Sequence, residues 1–262
     1  MEIDGSMLKT TPSIGIGMYP SHGNDREMLL KNADLAMYSA KEKGKNNYQF
    51  FTEDMTSLAM ERISIENKLR EAIESNQLTL FYQPKLYSVT GEVTGFEALV
   101  RWIHPEDGMI SPGAFIPVAE ETGLILSLGD WILEEAIRQA KEWSLIAPDN
   151  CQIAVNISAK QFMSDAFPER IAGLLEQYDL EPHFIELEIT EGTLMENMNH
   201  TIASLRTLRD MGLHISLDDF GTGYSSLSYL KEFPVNQLKI DQSFVRDVTT
   251  CLLYTSPSPR DS

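Results

Sequence analysis

Little in this chain speaks for a secreted, membrane-embedded or nucleic-acid-wrapping protein. It has only two cysteines, Cys151 and Cys251, too few for a disulfide framework. No apolar run is long enough to span a bilayer, and the first residues carry no signal peptide. Positive charge is scarce. Against 39 Asp and Glu stand 21 Lys and Arg, for a formal net charge of -18, which argues against non-specific DNA or RNA binding through a basic surface. A nucleotide ligand remains compatible with such a chain, because a bound divalent cation inverts the local sign. The five histidines (His22, His104, His183, His200, His214) show no metal-ligand spacing and read as loop, surface or packing residues. The cytosol is the default compartment; any membrane anchor would lie upstream of these residues.

What is present is enough hydrophobic sequence, 42% of 262 residues, for one large domain or one and a half. Residues 1–52 read as the end of something. Thr11 to Pro20 is a strand leaving through a proline turn. Asn24 or Asp25 caps a helix whose apolar stripe is Leu29, Ala33, Ala36, Met37 and Ala40, with Gly44 ending it. Residues 47–51 form a short last strand. Two strands and a helix cannot bury a core of their own. Residues 53–76 follow as one connecting helix.

From Leu78 strands and helices alternate. Strands are expected at 78–83, 96–102, 153–158, 184–190, 215–219 and 237–240. Helices are expected near 113–122, 128–146, 164–178 and 197–211, and from about Tyr224 to Glu232. The link at 88–95 is too short for a crossover helix, so the first two strands form an antiparallel hairpin. The alternating faces agree. Phe96, Ala98, Val100 and Trp102 oppose Glu97, Leu99 and Arg101. Ile153, Val155 and Ile157 oppose Asn156 and Ser158. Ile185, Leu187 and Ile189 oppose Glu186, Glu188 and Thr190, and Leu238 and Ile240 oppose Lys239. With the apolar faces against helices, the polar groups line a lumen. The fold class is therefore α/β, a TIM-like (β/α)8 barrel with one antiparallel strand, incomplete at its C-terminus with six of eight strands, plus a small α+β piece at the N-terminus. The alternative, an open doubly wound sheet, calls for strands apolar on both faces, and no glycine-rich dinucleotide loop follows the first strand.

Chemistry concentrates in His214-Ile-Ser-Leu-Asp-Asp-Phe-Gly-Thr-Gly-Tyr-Ser-Ser-Leu-Ser-Tyr-Leu230. Its strand ends in paired carboxylates, Asp218 and Asp219. Alone, the pair reads equally as a solvated turn capping the next helix or as a site for a hard cation with oxygen ligands. Glu97, Asn156, Glu188 and Lys239 from other strands face the same lumen. Four carboxylates and an amide oxygen around one cavity call for cations. Two divalent ions sharing Asp218 would satisfy them, the arrangement suited to in-line attack of water on a phosphodiester. Lys239 would orient or deprotonate that water or hold a phosphate oxygen, and Arg101 is a phosphate clamp. Taken singly, Lys239 also reads as a Schiff-base lysine, and Glu97 or Asn156 as hydrogen-bonded structural residues. Glu186 reads as structural or as exposed at the barrel floor, and Trp102 as a packing residue beside the groove.

Two resemblances sharpen this. Ser13-Ile-Gly-Ile with Tyr19-Pro20, Ala33-Asp-Leu-Ala-Met-Tyr38, Ala40-Lys41 and Gly44-Lys-Asn-Asn47 resemble the C-terminal third of a GGDEF (diguanylate cyclase) domain. The hairpin that carries cyclase chemistry is absent, so no cyclase function is implied. Glu97-Ala98-Leu99 with Val100-Arg-Trp102 belongs to a second pattern. It continues through Ile110-Ser-Pro-Gly-Ala-Phe-Ile-Pro-Val-Ala-Glu-Glu-Thr-Gly123, Val155-Asn-Ile-Ser158, Glu188-Ile-Thr-Glu191, Asp218-Asp-Phe-Gly-Thr-Gly223 and Lys239-Ile-Asp241. The whole stretch from Leu80 to Asp241 resembles an EAL-domain cyclic-di-GMP phosphodiesterase.

The resemblance implies hydrolysis of cyclic di-GMP to linear pGpG with two divalent cations, Mg2+ or Mn2+. Glu97, Asn156, Glu188 and Asp218 would bind the first metal, Asp218 and Asp219 the second, and Lys239 would serve the nucleophilic water. Glu191 would brace the loop after Asp219, and Gln83, Leu99, Arg101 and Pro112 would line the substrate groove. A homodimer through this domain is a further expectation. The expected division is a GGDEF remnant at 1–52, a connecting helix at 53–76 and the EAL domain at 77–250. Residues 251–262 resemble a translated sequencing-adapter tail. No match exists for the family's metal-binding glutamate on the seventh strand, so this chain is expected to be weak or inactive where its parent is active. The competing expectation is a catalytically inactive EAL domain that acts as a cyclic-di-GMP receptor or a signalling scaffold.

Overall fold

The computed structural model describes residues 2–3, 6–7, 11–146, 151–196, 198–221 and 232–247. The chain falls into two compact units that divide between Leu69 and Arg70.

The first unit opens with an antiparallel pair that the sequence did not suggest, β1 (Glu2–Ile3) and β2 (Ser6–Met7). Next come β3 (Ile14–Ile16), α1 (Arg26–Glu42) and β4 (Tyr48–Phe50), with β3 and β4 parallel. Asp25 is the N-cap, its carboxylate accepting the Met28 amide at 2.8 Å, which satisfies one of the free N–H groups of the first turn. The strand lies close on the helix because Gly15 has no side chain. A Cβ there would sit 1.9 Å from the Ala33 carbonyl oxygen. Ala36, Phe51, Met55 and Leu35 form the small core. The following helix, α2, spans Glu53–Glu74, and its Leu58, Met60 and Ile63 are exposed.

The second unit is built on one mixed sheet. Its strands are β5 (Leu78–Leu86), β6 (Val93–His104), β7 (Gly108–Ile110), β8 (Gln152–Ile157), β9 (Ile185–Thr190), β10 (His214–Phe220) and β11 (Gln237–Ile240). The order is β11-β10-β9-β8-β6-β5, with β7 returning antiparallel along the far end of β6. All neighbours from β6 to β11 run parallel, and β5 alone in that row is antiparallel, as the short hairpin requires. Six strands follow the expected course; β7 is an addition.

Between the strands run α3 (Pro112–Thr122), α4 (Ile125–Ser144), α5 (Ala159–Phe162), α6 (Phe167–Gln177), α7 (Glu191–Glu196) and α8 (Met198–Asp210), and α9 (Gln242–Asp247) follows β11. The expected helix at 128–146 starts three residues earlier, directly after Gly123 ends α3 in a left-handed conformation with φ 82. The expected helix at 164–178 begins later, at Phe167. A separate turn, α5, precedes it, locked by a capping box in which Ser158 and Gln161 satisfy each other's backbone amides. The expected helix beginning near Tyr224, and the tail from residue 251, lie outside the described residues.

The outer faces of the strands form the core. Ile153, Val155, Ile157, Ile185, Leu187, Ile189, Ile215 and Leu217 are buried, and so are Leu128, Leu133 and Ile137 of α4 and Leu205 and Leu208 of α8. Burying each such side chain contributes roughly 1.5–3 kcal/mol. Trp102 belongs wholly to this core rather than to a groove. It is 0% exposed, meets Phe115 edge-on with ring centroids 5.5 Å apart, and donates its indole N–H to Gln77. On β11 the expected cover is missing among the described residues, where Leu238 and Ile240 are exposed. Gly95 lets β6 approach β8, since a Cβ there would lie 2.6 Å from the Gln152 carbonyl oxygen.

Candidate active site

Alternation puts every second residue of β6, β8, β9, β10 and β11 on the inner face of the sheet. That face brings together Glu97, Asn156, Glu188, Asp218 and Lys239, each from a different strand. The Lys239 ammonium is the hub. Nζ donates to Glu188 Oε2 at 2.6 Å and to Asp218 Oδ2 at 2.9 Å, and lies 3.6 Å from Glu97 Oε2. Asn156 Nδ2 donates to Glu97 Oε1 at 2.9 Å. A cation thus already stands where three carboxylates converge, and it leaves them in excess.

Glu188 is the deepest of these groups, at 1% exposure. Burial raises its carboxyl to about 7, against the opposing pull of the Lys239 hydrogen bond and charge. Its second oxygen, Oε1, is buried with no hydrogen-bond partner among the described residues. Burial alone would lower Lys239, but its bonds to Glu188 and Asp218 outweigh that and raise it well above the ordinary lysine value. Held as an ammonium, Lys239 donates hydrogen bonds in this arrangement and does not accept a proton.

At the end of β10 the pairing with β11 shifts register between Leu217 and Phe220. Within that irregularity Asp219 adopts φ 53, a left-handed conformation that aspartate tolerates better than most residues. The break frees Asp219 from the strict alternation that would turn it away from Asp218. Its amide donates to Asp218 Oδ1 at 2.9 Å. Burial, and then the neighbouring charges of Asp218 and Asp241, push the Asp219 carboxyl above its usual range. Beyond it, the Gly221 amide donates to Glu191 Oε2 at 2.9 Å, and Glu191 itself is buried at the head of α7.

The residues expected to line a groove stand on β5, β6 and α3. Gln83 is the cross-strand partner of Glu97, and Leu99 that of Phe81. Arg101 donates to the carbonyl of its neighbour Val100, and its guanidinium lies 5.5 Å from the Phe81 ring centroid, so an aromatic face on β5 sets its orientation. Pro112 occupies the first turn of α3.

Among the described residues, no three His, Cys, Asp or Glu side chains are closed into a ready metal cage. The donor chemistry nevertheless fits a hard divalent cation. Glu97, Glu188, Asp218 and Asp219 are four carboxylates against the Lys239 ammonium and a second ammonium, Lys85, 3.8 Å from Glu188 and itself paired with Glu186, with an amide oxygen on Asn156 and an orphaned, buried carboxylate oxygen on Glu188. Sequence reasoning passed over one inward-facing cation. Lys85 on β5 forms an ion pair with Glu186, and Glu186 is buried rather than exposed. The signal available was the spacing Gln83, Lys85, which places both on one face of a strand.

Comparison with known proteins identifies the family of each part of the chain. A family model described as EAL domain matches residues 66–252, and one described as diguanylate cyclase, GGDEF domain, matches residues 1–47. The bifunctional diguanylate cyclase/cyclic di-GMP phosphodiesterase MucR of Pseudomonas aeruginosa is 44% identical over 94% of this chain and 36% of its own length. The cyclic di-GMP phosphodiesterase PdeR of Escherichia coli is 41% identical over 91% of this chain, again 36% of its own length. The chain therefore spans about a third of these curated relatives. A solved structure of the MucR phosphodiesterase in complex with c-di-GMP superposes with a TM-score of 0.69 at 44% identity, covering 72% of this chain and 76% of that one.

Proposed function

The chain belongs to the EAL domain family and carries part of a GGDEF domain before it, and from that premise we propose that its barrel unit hydrolyses cyclic di-GMP to linear pGpG. The observation that carries the reading is the convergence of Glu97, Glu188 and Asp218 on Lys239, with Asn156 bonded to Glu97. In this reading residues 77–250 form the catalytic domain, 53–76 a connecting helix and 1–52 the GGDEF remnant.

Glu97, Asn156, Glu188 and Asp218 would hold one divalent cation, Mg2+ or Mn2+, and Asp218 with Asp219 a second. Such ions supply Lewis acidity and a water acidified enough to attack phosphorus near neutral pH. The chain's own residues supply the frame. Water adds to one phosphorus, the ester oxygen on the opposite side leaves with a proton, and the ring opens to a linear dinucleotide with a terminal phosphate. Lys239, as an ammonium, donates to the attacking water or a phosphate oxygen and offsets the charge that builds there. Arg101, steered by Phe81, clamps a phosphate, and Gln83, Leu99 and Pro112 line the groove. Glu191 ties down the Gly221 amide and so fixes the turn that carries Asp219.

The test is incubation of the chain with cyclic di-GMP and Mg2+ or Mn2+, with chromatographic detection of pGpG. Metal-dependent pGpG, formed only weakly for want of a match to the seventh-strand glutamate and abolished by EDTA, is the expected result. Binding of cyclic di-GMP without any turnover would make the domain a receptor and overturn the catalytic reading. Sedimentation with and without ligand tests the expected homodimer.

A further inference from the structure

Beneath the carboxylate cluster, on the same inner face, lies a second polar layer drawn from three strands. Lys85 Nζ on β5 donates to Glu186 Oε2 on β9, and Ser216 Oγ on β10 donates to the other oxygen, Glu186 Oε1. Glu186 is 3% exposed and Ser216 1%. The cross-strand partner of Lys85 is Gly95, which brings no side chain to this layer. Nζ also faces upward: it lies 3.8 Å from Glu188 Oε1, the buried oxygen that has no hydrogen-bond partner among the described residues.

We propose that Lys85 is a positioning residue for Glu188. Clamped by Glu186 and Ser216, its ammonium is held under Oε1 while Lys239 holds Oε2 from the other side. The inference rests on the metal-binding reading of Glu188 given above. The clamp matters because a lysine side chain is long and flexible. Left free beside a buried carboxylate, it would close to hydrogen-bond distance and occupy the lone pairs a metal needs. Glu186 takes the close contact instead. At 3.8 Å the half-buried ammonium still attracts Oε1 of the buried carboxylate, yet it leaves the oxygen free to ligate. Partners of this kind, one step removed from a metal, orient the ligand itself.

The experiment is a Mn2+ titration of the full chain followed by electron paramagnetic resonance, in which the free hexaaqua signal disappears on binding. Lys85→Met removes the counter-charge under Oε1, and Glu186→Gln releases Lys85 to compete for it. Each is expected to weaken Mn2+ binding about tenfold, the scale on which such outer partners act. The double variant is expected to bind about as weakly as Lys85→Met alone, not about a hundredfold worse, because without Lys85 there is nothing for Glu186 to restrain. A purely structural role would lower stability and leave the Mn2+ affinity of the folded variants unchanged. Should Lys85→Met fail to fold, Ser216→Ala decides, since it removes only the hydroxyl that fixes Glu186. Weakened Mn2+ binding supports the clamp, and unchanged affinity overturns it. Wild-type affinity in a folded Lys85→Met, or losses that simply multiply in the double variant, also overturns it. Absence of Mn2+ binding by the unaltered chain would instead overturn the metal-binding reading, and this inference with it.

Discussion

Glu188 makes the metal-free barrel less stable as pH rises, and the effect has a definite size. Its carboxyl moves from an ordinary 4.5 to about 7, chiefly through burial. Between those values the native state holds a proton that the unfolded chain has released, so stability falls as pH increases. The contribution is fully present below 4.5 and lost as pH passes about 7. At 1.36 kcal/mol per pH unit, that span amounts to about 3 kcal/mol. Solvent does not screen it, because Glu188 is 1% exposed. Glu188→Gln keeps the shape and the capacity to accept from Lys239 but cannot titrate. The assay is urea unfolding in EDTA at pH 5 to 8, followed by tryptophan fluorescence. Trp102, Trp131 and Trp143 all lie in the second unit, so the signal reports the barrel alone. Other titrating groups are common to both proteins and cancel in the comparison. From pH 5 to 8 the wild type should lose about 2–3 kcal/mol more than the variant, most of that span. Parallel pH curves would refute the reasoning, for they would mean that Glu188 is ionised at no cost in the folded barrel. Mn2+ should reverse the trend in the wild type only, because a cation stabilises the carboxylate form.

Gly95→Ala should destabilise the barrel by about 1–3 kcal/mol in the same assay, because the new methyl must push β6 off the Gln152 carbonyl. Lys239→Met should lower the rate of pGpG formation about a hundredfold or more by removing a donor aimed at developing charge. Retained turnover would show that the ammonium serves only to hold Glu188 and Asp218. Glu191→Ala should free the Gly221 amide and slow the reaction about tenfold through misplacement of Asp219, while the unfolding midpoint of the barrel stays close to wild type.

The strands were legible because each is long enough to show its alternation. Glu97, Asn156, Glu188, Asp218 and Lys239 stand on polar faces whose opposite sides are apolar, and the fold brings them to one cluster. β7 was not legible. Three residues carry no period, and Gly108–Ile110 is a strand only because Trp102 pairs with Ile110 and His104 with Gly108. The short helix α5 had a visible sign, Ser158 followed three residues later by Gln161, but its four residues are too few to show an apolar period, and only the helix after it was expected. The conformation of Asp219 left no sign at all. Its left-handed φ arises where the register of β10 and β11 shifts, and a shift belongs to two strands rather than to one.

Lys85 shows most clearly what alternation leaves open. Spacing says that it faces inward, with Gln83; it does not say at which level. Level is set by strand direction. In the parallel strands, a residue two places earlier lies one layer deeper, so Glu186 sits below Glu188. In β5 the sense is reversed, because its pairing with β6 is antiparallel: Gln83 stands opposite Glu97, and Lys85 stands opposite Gly95, two residues lower. A parallel β5 would carry Lys85 up from Gln83, which already stands opposite Glu97, to the open side of the carboxylate layer and away from Glu186, where a mobile ammonium competes with a metal for the same oxygens. The antiparallel strand carries it down to Glu186 instead, which separates a cation placed below Glu188 from the cation, Lys239, proposed to face the reacting phosphate. On this reasoning the direction of a single strand decides whether this lysine supports the site or blocks it.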